Sequence, residues 1–203
     1  MILYYVHDPM CSWCWGFKPV LARLKNKLPD GIVIQYVLGG LAPDTDSPMP
    51  DSMKSQIIST WKHIQETIPG THFNYDFWEK CTPKRSTYMS CRAVLSAEKQ
   101  QSGKSLEMLT AIQEAYYLQA LNPSEISTLC DLAKKIGLNI KEFIDDIKSE
   151  EINKQLSEEI SLTKNLGVDS FPSLVLKIGA KNYPIALDYN HSDIILEHIR
   201  SFI

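Results

Sequence analysis

Two cysteines, Cys11 and Cys14, stand three positions apart near the start of the chain and open a segment with helical spacing. On the first turn of a helix, two such thiols can reach each other. The first then lies near the unsatisfied N–H groups and the positive end of the helix dipole. Both effects favour a thiolate, which is the attacking species in disulfide exchange. The spacing therefore predicts thiol–disulfide exchange, with Cys11 as the nucleophile and Cys14 as the resolving thiol.

Two other interpretations of the cysteine pair are half of a zinc site and a coincidental spacing. A zinc site needs two more ligands, usually a second pair of cysteines or a histidine pair. His7 is close in sequence, but Cys81 and Cys91 do not have the required spacing. We therefore predict no metal site.

The chain has five cysteines, and the three outside the pair are Cys81, Cys91 and Cys130. An odd number in a chain of this length is not typical of a disulfide scaffold and favours a reducing compartment. We expect these three to be buried, small apolar residues that the chemistry does not need.

The elements around the pair follow from the pattern of apolar residues. Residues Ile2 to Val6 predict a buried strand, and a helix is expected from Cys11 to about Leu28. Ile32 to Leu38 is rich in β-branched residues and predicts a second strand. A β–α–β order of this kind makes a parallel pair of strands.

The middle of the chain, residues 41–165, has helical periodicity throughout. Within it we expect one helix to have Asn122 as N-cap, Pro123 at N1 and Glu125 at N3. Asn139 with Glu142 predicts the cap of the next helix.

The last part of the chain returns to strands. Ser173 to Ile178 and Tyr183 to Leu187 predict two strands around a turn at residues 179–182, and a helix is expected from Ser192 to Ile203. The whole order, β–α–β, then helices, then β–β–α, is the thioredoxin arrangement. We predict an α/β fold in which a discontinuous thioredoxin domain, residues 1–40 and 166–203, is interrupted by a large all-helical insertion, residues 41–165.

The sequence also resembles a known family, the DsbA-like oxidoreductases, in its branch of FrnE-like predicted protein-disulfide isomerases. The resemblance begins at the cysteine pair and extends over nearly the whole chain. The segments that carry it are Asp8–Phe17, Gly39–Ala42, Pro69–Thr71, Phe77–Trp78, Arg85–Tyr88, Cys91–Val94, Gln113–Tyr117, Gly167–Val168 and Phe171–Pro172.

The resemblance implies a thioredoxin domain whose helical insertion shields the active site. Proline is otherwise disfavoured at the head of a central strand, where thioredoxin folds place a cis-proline that faces the cysteine pair, beside a backbone that pairs with substrate. We therefore predict that Pro172 is cis, the alternative being a trans proline in a loop. Ser12, Trp13 and Phe171 are then expected, with Pro172, to bind substrate. His7 and Asp8, just before the pair, either tune Cys11 or merely end the strand.

Two departures from periplasmic DsbA bear on the direction of the reaction. The dipeptide between the cysteines is Ser12-Trp13, without the histidine that stabilises the thiolate there, and Tyr5 stands where an acidic residue is expected. Loss of a stabiliser of the reduced form makes a pair less oxidising. We therefore expect a reductase or isomerase, not a net oxidase.

Composition limits the partners and the compartment. The net charge is −3, so no nucleic-acid partner is expected, and no apolar run is long enough for a membrane span. Because the N-terminus does not look like a signal peptide, we expect a cytoplasmic protein. We expect protein or small-molecule disulfides as substrates and a thioredoxin or glutathione recycling system. The only cofactor expected is the redox-active pair itself, with glutathione as a candidate recycling thiol.

Two further functional hypotheses stay open at the level of sequence. One is a glutathione-dependent isomerase or transferase similar to the kappa class, whose members usually carry serine where this chain has Cys11. The other is a non-enzymatic adaptor, since some cytoplasmic DsbA-like proteins deliver clients to proteases. An adaptor would keep its activity without Cys11, whereas an oxidoreductase would lose it.

Overall fold

Four strands form one mixed sheet, and nine helices surround it. The structure is a computed structural model that describes residues 1–203. No helix in it combines the length and the apolar character that crossing a bilayer requires. The elements are β1 (Ile2–His7), α1 (Ser12–Lys27), β2 (Val33–Leu38), α2 (Asp51–Thr67), α3 (Phe77–Lys80), α4 (Tyr88–Gln100), α5 (Lys104–Tyr117), α6 (Ile126–Lys135), α7 (Ile140–Ile147), α8 (Glu150–Asn165), β3 (Ser173–Ile178), β4 (Lys181–Ile185) and α9 (Ser192–Arg200).

The strand order in the sheet is β2–β1–β3–β4, with β1 in the centre beside β2 and β3. β1 is parallel to β2, which confirms the parallel pair predicted from the β–α–β pattern. The pairs β1–β3 and β3–β4 are antiparallel. The predicted α/β thioredoxin arrangement, with helices between its two halves, is the observed one.

The two faces of β1 belong to different cores. Leu3 and Tyr5 face α1 and α9 and form one cluster with their apolar residues. Tyr4 and Val6 point to the opposite face, where Leu162 and the end of α8 pack on them. Alternation of side chains along a strand produces this division.

The last helix of the middle segment therefore covers the sheet itself. The N-terminal half of α8 packs with α4 to α7 through Ile152 and Leu156, while Leu162 in its C-terminal half and the C-cap residue Leu166 pack on the sheet. One helix thus joins the helical layer to the sheet. The division of the chain at residues 41 and 165 into two domains stays a prediction.

Several predicted boundaries are wrong. β4 ends at Ile185 and α9 ends at Arg200, two and three residues before the predicted ends. α6 begins at Ile126, not at Pro123, because Asn122 forms a turn in which its Oδ1 accepts the N–H and the hydroxyl of Ser124. β4 begins at Lys181, two residues earlier than predicted, since the turn after β3 needs only Gly179 and Ala180. The predicted cap of α7 is confirmed, with the Asn139 side chain accepting two backbone N–H groups.

Candidate active site

Cys11 lies at the N-terminal end of α1, directly after β1 and a short turn. Its N–H donates to the Asp8 carbonyl at 3.1 Å, which closes the turn. The residue is the N-cap of α1, and its Sγ accepts the N–H of Cys14 at 3.2 Å. The sulfur thus takes the place of an N-cap oxygen, where negative charge is stabilised by the helix N-terminus.

The two thiols differ in their access to solvent. Both are free, with 6% of Cys11 and 1% of Cys14 exposed. Burial raises the pKa of the Cys14 thiol well above its ordinary value, and the neighbouring Cys11 raises it further. This asymmetry is what a nucleophile at position 11 and a resolving thiol at position 14 require, although the assignment itself stays a prediction.

The start of β3 brings Phe171 and Pro172 to the cysteine pair. Cys11 Sγ donates to the Phe171 carbonyl oxygen at 3.4 Å, and the Phe171–Pro172 peptide bond is cis. The Phe171 ring lies against the backbone of Gly39, where a Cβ would stand 2.1 Å from a ring carbon. Only glycine at position 39 leaves room for this ring.

Asp8 connects the turn before Cys11 to the helical layer. Its side chain is completely buried and accepts N–H groups from Met10 at 2.8 Å and Leu41 at 2.7 Å. It also accepts the Thr87 hydroxyl at 2.7 Å and the Cys91 thiol at 3.6 Å. Burial raises the pKa of Asp8, and these hydrogen bonds oppose the rise. Asp8 thus does more than end the strand, while its effect on Cys11 stays a prediction.

His7 faces a cavity between the sheet and the helices. Its ring stacks on Tyr5, with 5.1 Å between the centroids, and Nδ1 is buried without a hydrogen-bond partner. Burial lowers the pKa of His7 to about 3. The cavity has a volume of about 150 Å³ and is also lined by Glu159. Burial raises the pKa of the Glu159 carboxyl group to about 7. The structure thus places His7 among aromatic rings in this cavity, and its tuning of Cys11 stays a prediction.

Aromatic side chains surround the exposed side of the cysteine pair. Ser12 and Trp13 are half-buried at the first turn of α1. The Trp13 ring packs on Tyr189 and on His63 of α2, with centroid distances of 4.9 Å and 5.7 Å. Residues from α1, α2 and the loop before α9 therefore form one apolar surface beside Cys11.

The three remaining cysteines lie apart from the pair in differing surroundings. Cys91 is completely buried, as expected, and donates to Asp8. Cys81 and Cys130 are only partly buried, since both lie at the edges of apolar clusters. No group of three or more His, Cys, Asp or Glu side chains is close enough to hold a metal ion.

Several residues at the site were not singled out by the sequence analysis. Gly39, Leu41 and Thr87 lie in segments that carry the family resemblance. The resemblance therefore marked these segments but assigned no role to the three residues. His63 and Tyr189 lie in no such segment. Their approach to Trp13 depends on how α2 and the loop before α9 pack, which local sequence patterns do not encode.

Comparison with known proteins agrees with this geometry. A sequence model of the family described as thioredoxin matches residues 4–183, which includes both halves of the sheet and the helices between them. The chain belongs to the thioredoxin family. Solved structures that include a disulfide reductase and a probable DsbA oxidoreductase share its fold, which confirms the DsbA-like fold expected from the sequence motifs.

Among solved structures, a proposed protein disulfide isomerase from Nitrosomonas europaea is 26% identical, with a TM-score of 0.84 over 99% of this chain and 96% of that one. The cytosolic disulfide reductase DsbM from Pseudomonas aeruginosa shares the fold at 22% identity, with a TM-score of 0.78 over 100% of this thioredoxin-family chain and 98% of DsbM.

A curated relative is also similar in sequence. The ClpXP adapter protein SpxH of Halalkalibacterium halodurans is 27% identical over 177 residues, which is 85% of this chain and 57% of SpxH. The chain therefore spans little more than half the length of the curated relatives it matches.

Proposed function

We propose that this chain is a thiol–disulfide oxidoreductase that reduces or isomerises disulfides through Cys11 and Cys14. One observation carries the proposal. The Cys11 sulfur is the N-cap of α1, accepts the Cys14 N–H at 3.2 Å and lies 3.4 Å from the Phe171 carbonyl. A sulfur so placed can attack a disulfide and be attacked in turn by the thiol three residues later.

The proposed reaction has two exchanges. The Cys11 thiolate attacks one sulfur of the substrate, a Cys11–substrate disulfide forms, and the other substrate sulfur leaves as a thiolate that takes up a proton. Cys14 then loses its proton and attacks the Cys11 sulfur. The Cys11–Cys14 disulfide forms, the remaining substrate thiolate leaves, and the substrate has gained the two electrons that the dithiol lost.

The surroundings of Cys11 support roles for four neighbouring residues. Phe171 and Pro172 border the sulfur just before β3, where the backbone of an extended substrate can pair with the free backbone of Phe171 in the manner of β-augmentation. Ser12 and Trp13 border it on the helix side, and Trp13 offers an apolar contact. We propose that these four residues bind the substrate around its disulfide.

Substrates and recycling partners are proposed from the relatives. DsbM is described as a cytosolic disulfide reductase and has been solved with GSH. This supports a cytoplasmic location, protein or small-molecule disulfides as substrates and glutathione as the thiol that returns Cys11–Cys14 to the reduced state. The Cys11 nucleophile favours this chemistry over that of a kappa-class transferase.

Substitution of each cysteine tests the proposal. Cys11→Ser should abolish reduction of insulin and of glutathione disulfide, because serine cannot supply the thiolate. Cys14→Ser should accumulate disulfides between Cys11 and substrate, which intact-mass spectrometry detects. Cys130→Ser is the matched control, since this half-buried cysteine of α6 is distant from the pair in the chain and should keep full turnover. Turnover by a folded Cys11→Ser protein would contradict the proposal.

An adaptor role is a second candidate, favoured by the similarity to SpxH over 85% of this chain. An adaptor acts by binding, so it would deliver a client protein to a protease without using Cys11. Client degradation assayed with wild type and with Cys11→Ser separates the two functions. Equal degradation together with no disulfide reduction by the wild type would favour the adaptor.

A further inference from the structure

Cys14 poses a problem of proton transfer. To resolve the mixed disulfide, its thiol must become a thiolate, yet only 1% of the residue is exposed. Burial raises the pKa of Cys14 well above the ordinary value for a thiol. A buried thiolate needs a hydrogen-bond donor to stabilise it and a path by which its proton reaches water.

A cavity of about 250 Å³ has Cys14 on its lining and none of the four residues proposed to bind the substrate. It runs between α1 and α5, with Cys14 and Tyr5 on its lining, and reaches the exposed residues Ala22 and Lys25. Its length along α1 connects the buried sulfur to solvent. Water in this cavity can therefore exchange protons with Cys14 without passing the substrate.

Tyr5 of β1 is the polar group that approaches Cys14 from the sheet. It is 3% exposed and lines the cavity together with Cys14, close enough for the charges of Cys14 and Cys11 to act on its hydroxyl. Burial raises the pKa of Tyr5 well above its usual range, and the charges of Cys14 and Cys11 add to the rise. Tyr5 therefore stays protonated and can donate.

The other titratable groups near Cys14 are less well placed to serve it. The Asp8 backbone lowers the pKa of Cys14, but the Asp8 carboxylate would repel a thiolate. The Lys18 ammonium is hydrogen-bonded to Thr110 at 3.3 Å and lies 5.4 Å from the centre of the Trp15 ring. Besides Tyr5, Asp8 and Lys18, the groups that face Cys14 or line its cavity are Cys11, Lys25, Tyr36, Tyr117 and Tyr189.

We propose that Tyr5 donates a hydrogen bond to the Cys14 thiolate during resolution, while the cavity between α1 and α5 carries the proton to solvent. The inference rests on the proposed function. In this step Cys14 loses its proton to water in the cavity, the Cys14–Cys11 disulfide forms, and the bond from Cys11 to the substrate sulfur breaks. The departing substrate thiolate takes a proton from solvent.

The test is Tyr5→Phe, which removes one oxygen atom and keeps the ring. Tyr4→Phe is the matched control, because Tyr4 is the adjacent residue and lies on the opposite face of β1. Each reduced protein is mixed rapidly with glutathione disulfide, and release of the second glutathione is followed from pH 6 to 9. Loss of a hydrogen bond to a charged group should slow this release about tenfold in Tyr5→Phe at each pH. Equal rates for the two variants would overturn the inference.

A second measurement does not depend on turnover. In a Cys11→Ser background, the pH dependence of Cys14 alkylation by iodoacetamide is resolved at the Cys14 peptide by mass spectrometry. Tyr5→Phe should move the midpoint of this profile to higher pH, whereas Tyr4→Phe should not. An unchanged midpoint would overturn the role of Tyr5. Failure of the wild type to form any disulfide with glutathione would contradict the proposed function instead, and the alkylation profile would still decide on Tyr5.

Discussion

Asp8 shows how a single buried carboxyl group can hold the cysteine pair in place. Two of its hydrogen bonds come from backbone N–H groups, of Met10 and Leu41, and one comes from the Thr87 hydroxyl of the helical layer. Each bond to a charged group contributes about 1.5–3 kcal/mol, which offsets the unfavourable burial of the carboxyl group. The turn that presents Cys11 is therefore fixed from both the sheet and the helices.

His7 makes stability depend on pH. Burial lowers its pKa from 6.5 to about 3, so the folded state excludes a proton that the unfolded chain binds. Its contribution to the free energy of unfolding is therefore complete above pH 6.5 and is lost as the pH falls toward 3. His7→Phe keeps a ring against Tyr5 and removes this titration. Relative to the variant, the wild type should lose about 2 kcal/mol between pH 7 and pH 5.

Urea unfolding of both proteins at the two pH values measures this loss. The comparison isolates His7, because Glu159, whose pKa is raised to about 7 and which lines the same cavity, titrates in both proteins. If the difference in the free energy of unfolding between wild type and His7→Phe is the same at pH 5 and pH 7, His7 titrates as an exposed histidine does.

The residues that act through their own chemistry could be predicted from the sequence. The spacing of Cys11 and Cys14 and the proline at position 172 are local signals, and the structure brings these residues together. The support around them could not be predicted, since Gly39 and Thr87 act through the space and hydrogen bonds that tertiary packing creates. Tyr5 stood out in the sequence only as a departure from an expected acid, and its place beside Cys14 on the lining of one cavity gives that departure a physical meaning.

At the level of elements, the contact between α1 and α2 depends on Gly16. A Cβ at this position would lie 2.7 Å from Ile68 Cδ1 and 3.2 Å from Ile64 Cγ2. Alanine is favoured over glycine inside a helix by about 1 kcal/mol, but overpacking a buried contact costs about 1–3 kcal/mol. Gly16→Ala should therefore destabilise the protein slightly, despite its better helix propensity.

A double-mutant cycle with Ile68→Val tests the cause, because valine lacks the Cδ1 atom. Ile68→Val alone should cost about 1 kcal/mol, and the double variant should lose less than the sum of the two single losses. The free energies of unfolding come from urea titrations of the four proteins. Strict additivity would mean that the Gly16→Ala loss does not arise at Ile68.

Most elements could be predicted from periodicity and caps, and the errors have local causes. The predicted start of α6 is wrong because the Asn122 side chain accepts hydrogen bonds within a turn. An asparagine side chain can form such a turn as readily as it can cap a helix, and the sequence does not distinguish the two. The double role of α8 could not be predicted, since an apolar stripe does not reveal which neighbour covers it. Only the structure shows Ile152 in the helical core and Leu162 on the sheet.

For the molecule as a whole, these links argue against two independently folding parts. Asp8 at the end of β1 bonds Leu41 and Thr87, and Glu159 of α8 accepts the N–H of Leu38 at the end of β2. A unit cut at residues 41 and 165 would take α8 away from the sheet and expose the face formed by Tyr4, Val6, Val37 and Val175. We therefore expect sheet and helices to unfold in one cooperative step.

Two probes that report on different parts of the molecule test this expectation. All four tryptophans belong to the aromatic cluster around Trp61, and the sheet contains none, so their fluorescence follows the helical side and α1. Hydrogen exchange of the β1 amides follows the sheet. The two should give the same free energy of unfolding, as a two-state transition requires. Leu162→Ala, which weakens the contact of α8 with the sheet, should lower both values equally.

A tryptophan transition at lower urea than the loss of β1 protection would instead show that the helical layer unfolds by itself. The contacts of Asp8, Glu159 and α8 would then be too weak to couple it to the sheet.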